Sequence, residues 1–121
     1  MTIRHREPEQ LERAHGLDLR LLHPWADLST PFRGAWCVLR PGDVTEQHSH
    51  RERELFVCMA GRGVLATAGE RHDLAAGDLA LMRAGVDHWI TNEHDEDFVY
   101  YAIWWDRVMA AEYLDEPGRA R

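Results

Sequence analysis

The stretch Gly42-Asp43-Val44-Thr45-Glu46-Gln47-His48-Ser49-His50-Arg51-Glu52-Arg53-Glu54-Leu55-Phe56-Val57-Cys58-Met59-Ala60-Gly61 decides how this chain folds. His48 and His50 stand two apart. On an extended strand such residues point to one face, so the two imidazoles are presented side by side. Glu54 follows four positions later. A turn near Arg51–Arg53 lets the next strand bring its carboxylate back beside them. Two imidazoles and one carboxylate suit a first-row divalent metal.

A second stretch, Gly77-Asp78-Leu79-Ala80-Leu81-Met82-Arg83-Ala84-Gly85-Val86-Asp87-His88-Trp89-Ile90-Thr91-Asn92, adds a third imidazole. His88 opens a strand and shares a face with Ile90 and Asn92. Neutral imidazole is again a natural ligand. Four protein ligands on a metal that accepts five or six leave positions for water, substrate or dioxygen.

The first stretch resembles the first cupin motif: glycine, five residues, H-x-H, three residues, glutamate, six residues, glycine. Every specified position is filled, from Gly42 to Gly61. The second resembles the second cupin motif, from Gly77 to Asn92, with Arg83 where proline is usual. Glycine averages about 7% of residues, so four glycines at set positions occur by chance on the order of 10⁻⁵ times. The resemblance covers Gly42–Asn92. It implies an all-β fold, a cupin-type double-stranded β-helix or jelly-roll barrel of two packed antiparallel sheets, with His48, His50, Glu54 and His88 pointing inward around one divalent metal ion. Zinc, iron, manganese, nickel, cobalt and copper all suit such ligands. The alternative is a cupin that has lost its metal, as some storage and scaffolding members have. Here no ligand is missing, and an inward cluster of histidines and a carboxylate without metal would be an expensive buried polar group.

The rest of the chain agrees with a barrel. Its 121 residues suit one domain, 1–121. Turn signals recur at Pro24, Pro31, Gly34, Pro41-Gly42, Gly61, Gly63, Gly69, Gly77 and Gly85. Between them, Leu17–Leu22, Ala35–Leu39, Leu55–Met59, Gly63–Thr67, Leu79–Met82, His88–Thr91 and Phe98–Trp105 read as strands. Residues 8–15 read as a short N-terminal helix begun by Pro8 and stopped by Gly16. Asp106 caps a C-terminal helix over Arg107–Leu114, Pro117-Gly118 stops it, and Arg119–Arg121 fray.

The net charge is −7 and every basic residue is arginine. The absence of lysine removes Schiff-base chemistry, and its bland explanation is codon bias. The charge also argues against nucleic acid as a partner. No apolar run approaches the ~20 residues of a bilayer span, and the first residues carry no signal-peptide core. A cytoplasmic protein without a membrane partner is expected. Cys37 and Cys58 form no C-x-x-C pair and are expected to be reduced, buried apolar residues. A reactive thiol at Cys58 is the alternative.

Around the metal, Arg51, Arg53 and Arg83 are candidates to hold a substrate carboxylate. Glu46 and Asp87 are candidate partners for the ligand imidazoles. The strand Phe98–Trp105 is apolar on both faces, one carrying Phe98, Tyr100, Ala102 and Trp104 and the other Val99, Tyr101, Ile103 and Trp105. It is expected to serve the core and a homodimer face, with one aromatic set, Tyr101 and Trp105, a candidate for the substrate mouth. His5, His15, His23, His72 and His94 fall outside the motif spacing.

These features point to a metal-dependent enzyme on a small metabolite, with the metal as Lewis acid or dioxygen site. The end of the last strand is similar to small cupins of bacterial natural-product pathways, including the cupin half of hydrazine synthetases. That resemblance implies N–N bond formation as one alternative. Dioxygenase and isomerase chemistry are others. A non-catalytic module that binds or senses a small molecule, and a metal-free structural role, complete the set.

Overall fold

The computed structural model describes residues 1–47 and 51–117. Pro8 starts a single 3-10 turn, Pro8–Gln10, in which Leu11 N–H donates to Pro8 O at 3.2 Å. The predicted helix does not continue beyond it. Glu12–Ala14 is strand β1, and it turns back into β2, Leu17–Leu21. His15 and Gly16 make this two-residue turn with φ of 57° and 88°. Positive φ at both turn residues matches the twist of paired strands. Gly16 is therefore a hairpin glycine and not a helix stop. A Cβ there would lie 2.2 Å from Val44 O, so only glycine fits.

The remaining elements follow the turn signals. They are β3 (Arg33–Leu39), β4 (Arg53–Ala60), β5 (Arg62–Ala66), β6 (Arg71–Ala75), β7 (Leu79–Met82), β8 (Trp89–Thr91), β9 (Phe98–Trp105) and helix α1 (Arg107–Leu114). One sheet runs β1-β2-β3-β9-β4-β7 and the other β6-β5-β8, with antiparallel pairing throughout. This is the two-sheet arrangement of a jelly roll. The sheets face each other across one apolar core. Leu39, Phe56, Phe98 and Ala102 enter it from the larger sheet, and Leu65, Leu74 and Ile90 from the smaller. Phe98 fits because Gly63 lies under its ring, where a Cβ would come within 2.5 Å.

Two sets of bonds bring the halves of the candidate site together. Thr45 N–H donates to Ile90 O at 2.9 Å, and Ile90 N–H donates to Thr45 Oγ1 at 2.8 Å. Gly42 N–H donates to Asn92 O, and Asn92 N–H returns to Asp43 O. The segment leading to His48 is thereby zipped to the segment leaving His88. The buried Asn92 side chain then pins the next turn. Its amide donates to Leu39 O at 2.9 Å and Glu96 O at 2.7 Å, and its oxygen accepts from His94 N–H. The asparagine that closes the second motif is thus a structural staple.

Helix α1 forms where the sequence places it, with Asp106 Oδ1 accepting from Met109 N–H at 2.8 Å. The expected stop at Gly118 and the frayed Arg119–Arg121 lie outside the described residues. Among the described residues no helix is long and apolar enough to cross a membrane.

Candidate metal centre

Glu54 is the second residue of β4, immediately after the bend at Arg51-Glu52. Alternation along β4 turns Glu54, Phe56 and Cys58 inward. His88 sits just before β8 and is inward for the same reason as Ile90 and Asn92. The two side chains are 9% and 3% exposed, and Glu54 Oε1 lies 2.9 Å from His88 Nε2. His88 Nδ1 lies 2.9 Å from Val86 O. A carbonyl oxygen only accepts, so Nδ1 donates its proton there, and Nε2 is the atom presented to the carboxylate. The Phe56 ring packs edge-on against the imidazole at 5.9 Å.

A neutral imidazole in this tautomer and an ionised carboxylate both offer lone pairs across the 2.9 Å gap. They are compatible only with a positive species between them, a proton or a metal ion. Burial disfavours the His88 cation. The hydrogen bond to Glu54 and that to Val86 O outweigh burial, and the ring holds its proton above its ordinary 6.5. A lone pair held in place by a fixed Nδ1 contact, beside a buried carboxylate, is the chemistry of a divalent-metal site. The residues present fit such an ion. His48 and His50, the other two expected ligands, lie outside the described residues. Among the described residues no group of three histidine, cysteine or carboxylate side chains converges.

The pair borders a cavity of about 730 Å³ inside the barrel. Leu19, Leu21, Ala35, Phe56 and Trp104 give it apolar walls, and Glu12, Glu46 and Glu52 also line it. A volume of roughly 300–1,000 Å³ is usual for a small-molecule site. Cys37 lines the cavity too, and burial pushes its thiol up to about 12. Burial likewise pushes the Cys58 thiol up to about 11. Both cysteines are free and buried, and neither has the lowered pKa of a reactive thiol.

The family described as Cupin domain matches residues 35–104, which is more than half of the chain. The chain belongs to the cupin family. This cupin is similar to a Cupin 2 conserved barrel domain protein from Salinispora arenicola, at 36% identity and a TM-score of 0.89, covering 93% of this chain and 95% of the other. It is equally similar to a protein from Photorhabdus luminescens, at 36% identity and a TM-score of 0.89, covering 93% of each chain. A Thermotoga maritima relative, an oxalate-binding protein, is 28% identical over 95 residues, covering 78% of this chain and 74% of its own.

The substrate-contact expectations divide by strand parity. Glu54 pairs with Trp104, Phe56 with Ala102 and Cys58 with Tyr100, so the cavity takes the Tyr100–Ala102–Trp104 face of β9. Tyr101 and Trp105 sit on the opposite face, where Tyr101 packs against Trp36, Val38 and Val99. Both faces of β9 are aromatic, so composition alone could not choose between them. Arg53 pairs with Trp105 on that outer face, and Arg51 is exposed on the bend. Arg83 is exposed beyond β7 and lines a separate groove with Leu79, Leu81 and Val86. None of the three arginines is among the described residues lining the cavity. Glu46 meets His15 Nδ1 at 3.3 Å, and Asp87 accepts from Gln47 Nε2 at 3.4 Å; both are surface contacts. His15 and Glu12 line the cavity although they lie far from either motif. The signal for them was the His15-Gly16 turn, which folds the N-terminal hairpin over the cavity.

Proposed function

We propose that this cupin is an enzyme that holds one divalent metal ion with His48, His50, Glu54 and His88 and acts on a small metabolite of bacterial secondary metabolism. The observation that carries this reading is the buried Glu54–His88 pair at 2.9 Å, opening onto an apolar cavity of about 730 Å³. When bound, the metal supplies Lewis-acid activation of a substrate oxygen or nitrogen, or a dioxygen site if it is iron. The chain's own residues do the rest. Val86 O orients His88, Phe56 packs edge-on against the ring, and Leu19, Leu21 and Trp104 give the cavity apolar walls. N–N bond formation, dioxygenation and isomerisation are the reaction classes such a centre serves.

A second reading, a non-catalytic module that binds a small molecule, draws support from the relative named an oxalate-binding protein. A cytoplasmic homodimer is part of the proposal. Leu79 and Leu81 are 68% and 64% exposed on the outer face of β7, beside the half-buried Leu55, Ile103 and Trp105. A second copy of the chain would cover such a face.

The test has two stages. Elemental analysis of purified protein is expected to find about one divalent ion per chain. Metal-loaded protein is then incubated with small-molecule extracts and followed by mass spectrometry. A metal-dependent conversion supports the enzyme. Binding without conversion supports the sensing module, and protein that takes up no metal ends both metal-dependent readings.

A further inference from the structure

The inner face of β9 carries two large rings, Tyr100 and Trp104, with Ala102 between them. Four residues of strand span about 13 Å, and along β9 a single methyl stands in that interval. Strand register repeats the gap next door, because Ala102 pairs with Ala35 of β3. All four residues line the cavity. The two alanines therefore make room between a ring at either end. Phe56 pairs with Ala102 from the other side. Its ring packs edge-on against His88 at 5.9 Å and against Tyr100 at 5.3 Å. One ring thus bridges the Glu54–His88 pair to Tyr100.

Tyr100 is 3% exposed, and Phe98 packs against its ring at 5.3 Å. Its hydroxyl meets the Cys37 thiol, which lines the same cavity. Cys37 Sγ–H donates to Ala35 O at 3.6 Å, so the thiol offers the phenol a sulfur lone pair. Sulfur is a weak acceptor. Burial, and then the neighbouring Cys37 and Glu54, keep the phenol protonated, so it acts as a donor. A buried donor held by sulfur gains by exchanging it for an oxygen. We infer that Tyr100 donates a hydrogen bond to a carbonyl oxygen of the ligand, whose compact apolar body lies over Ala35 and Ala102. This rests on the reading of the cavity as the substrate site and names the chemical class it takes. Tyr100 is then a positioning contact, and the two alanines set the size of what fits.

NMR titration of the zinc-loaded full chain with acetophenone and with ethylbenzene tests it. The two probes share an apolar body, and the ketone adds one acceptor oxygen. The ketone is expected to bind about fivefold tighter or better. Tyr100→Phe keeps the packed ring and removes the donor. It is expected to weaken the ketone about fivefold and to leave ethylbenzene within about twofold. Ala102→Leu fills the space between the rings and is expected to weaken both probes about tenfold or more, with zinc content unchanged. Neither probe binding the wild type, a ketone preference that survives Tyr100→Phe, or equal weakening of both probes by Tyr100→Phe would each overturn the assignment. The last of these is the mark of a merely structural tyrosine. Zinc content of the same samples separates the two claims. A chain that takes up no zinc and still loses its ketone preference in Tyr100→Phe overturns the metal reading alone. A zinc-loaded chain whose preference survives Tyr100→Phe overturns the Tyr100 assignment alone.

Discussion

His88 Nε2 and Glu54 Oε1 face each other at 2.9 Å inside the barrel, although 34 residues separate them in the chain. The contact depends on two independent pieces of folding. Alternation along β4 turns Glu54 inward, and the Thr45–Ile90 bonds bring the second motif against the first. Because His88 Nδ1–H donates to the Val86 carbonyl, Nε2 presents its lone pair to a carboxylate. It is stable only with a cation.

Metal removal should therefore destabilise the protein, and the effect should depend on pH. In the metal-free protein the proton on His88 bridges the pair, and its pKa is raised above 6.5. A raised pKa contributes stability that is full below the unfolded value and is lost as pH rises through the folded value. The metal replaces that proton, so its own contribution grows over the same range. At a free metal concentration one hundred times Kd the stabilisation is about 2.7 kcal/mol. Melting curves with and without chelator should diverge more at pH 8 than at pH 6. Curves that coincide at both pH values would count against a bound ion.

Asn92→Ala should destabilise the fold without emptying the site. The substitution leaves the carbonyls of Leu39 and Glu96 and the His94 amide without their partner. A loss of roughly 1–3 kcal/mol is expected in denaturant unfolding. Metal stoichiometry should stay at the wild-type value, because the Asn92 side chain is bonded to the turn before β9 and is not among the described residues lining the cavity. A variant of unchanged stability would show that the staple is redundant.

The acid limb of the stability curve should contain a contribution from Asp43. The Arg13 guanidinium, and then the Arg40 amide, hold its carboxyl below the ordinary 3.8. A depressed pKa contributes stability above the unfolded value, and that stability is lost as pH falls through the folded value. Arg13 is half-exposed, so the contribution is modest and screened by salt. Asp43→Asn should flatten the stability–pH curve below about pH 4, as read by urea unfolding at a series of pH values. An unaltered acid limb would remove Asp43 from the account.

Leu81→Arg should give a monomer that retains its metal. Leu81 is 64% exposed on the outer face of β7 and pairs with Leu55 on the same face. A charge there is compatible with the fold and incompatible with a dry interface. Light scattering is expected to show a dimer for the wild type and half that mass for the variant. A wild-type monomer would end the dimer proposal.

Much of this fold was legible because glycine and proline punctuate it. β7 and β9 run where the apolar segments between turns place them, and α1 starts at its aspartate cap. β6 was not legible. Of Arg71-His72-Asp73-Leu74-Ala75 only Leu74 is buried, so the strand has no alternating pattern to betray it. The N-terminal segment misled because a proline start and a glycine stop bracket both a helix and a turn followed by a hairpin. Positive φ at His15 is a tertiary choice, made where Gly16 packs on Val44. In the site, Glu54 and His88 came from motif spacing. The choice between Tyr101 and Trp104 required the register of β9 on β4, which a strand aromatic on both faces does not reveal. Glu12 and His15 required the hairpin itself.

The central claim is that the imidazoles of His48, His50 and His88 and the carboxylate of Glu54 share one ion. X-ray absorption spectroscopy of the metal-loaded protein tests it most directly, because outer-sphere scattering counts coordinated imidazole rings. Three rings are predicted for the wild type, two for His88→Ala, and three with one fewer carboxylate oxygen for Glu54→Ala. A ring count that does not change when His88 is removed would contradict the account.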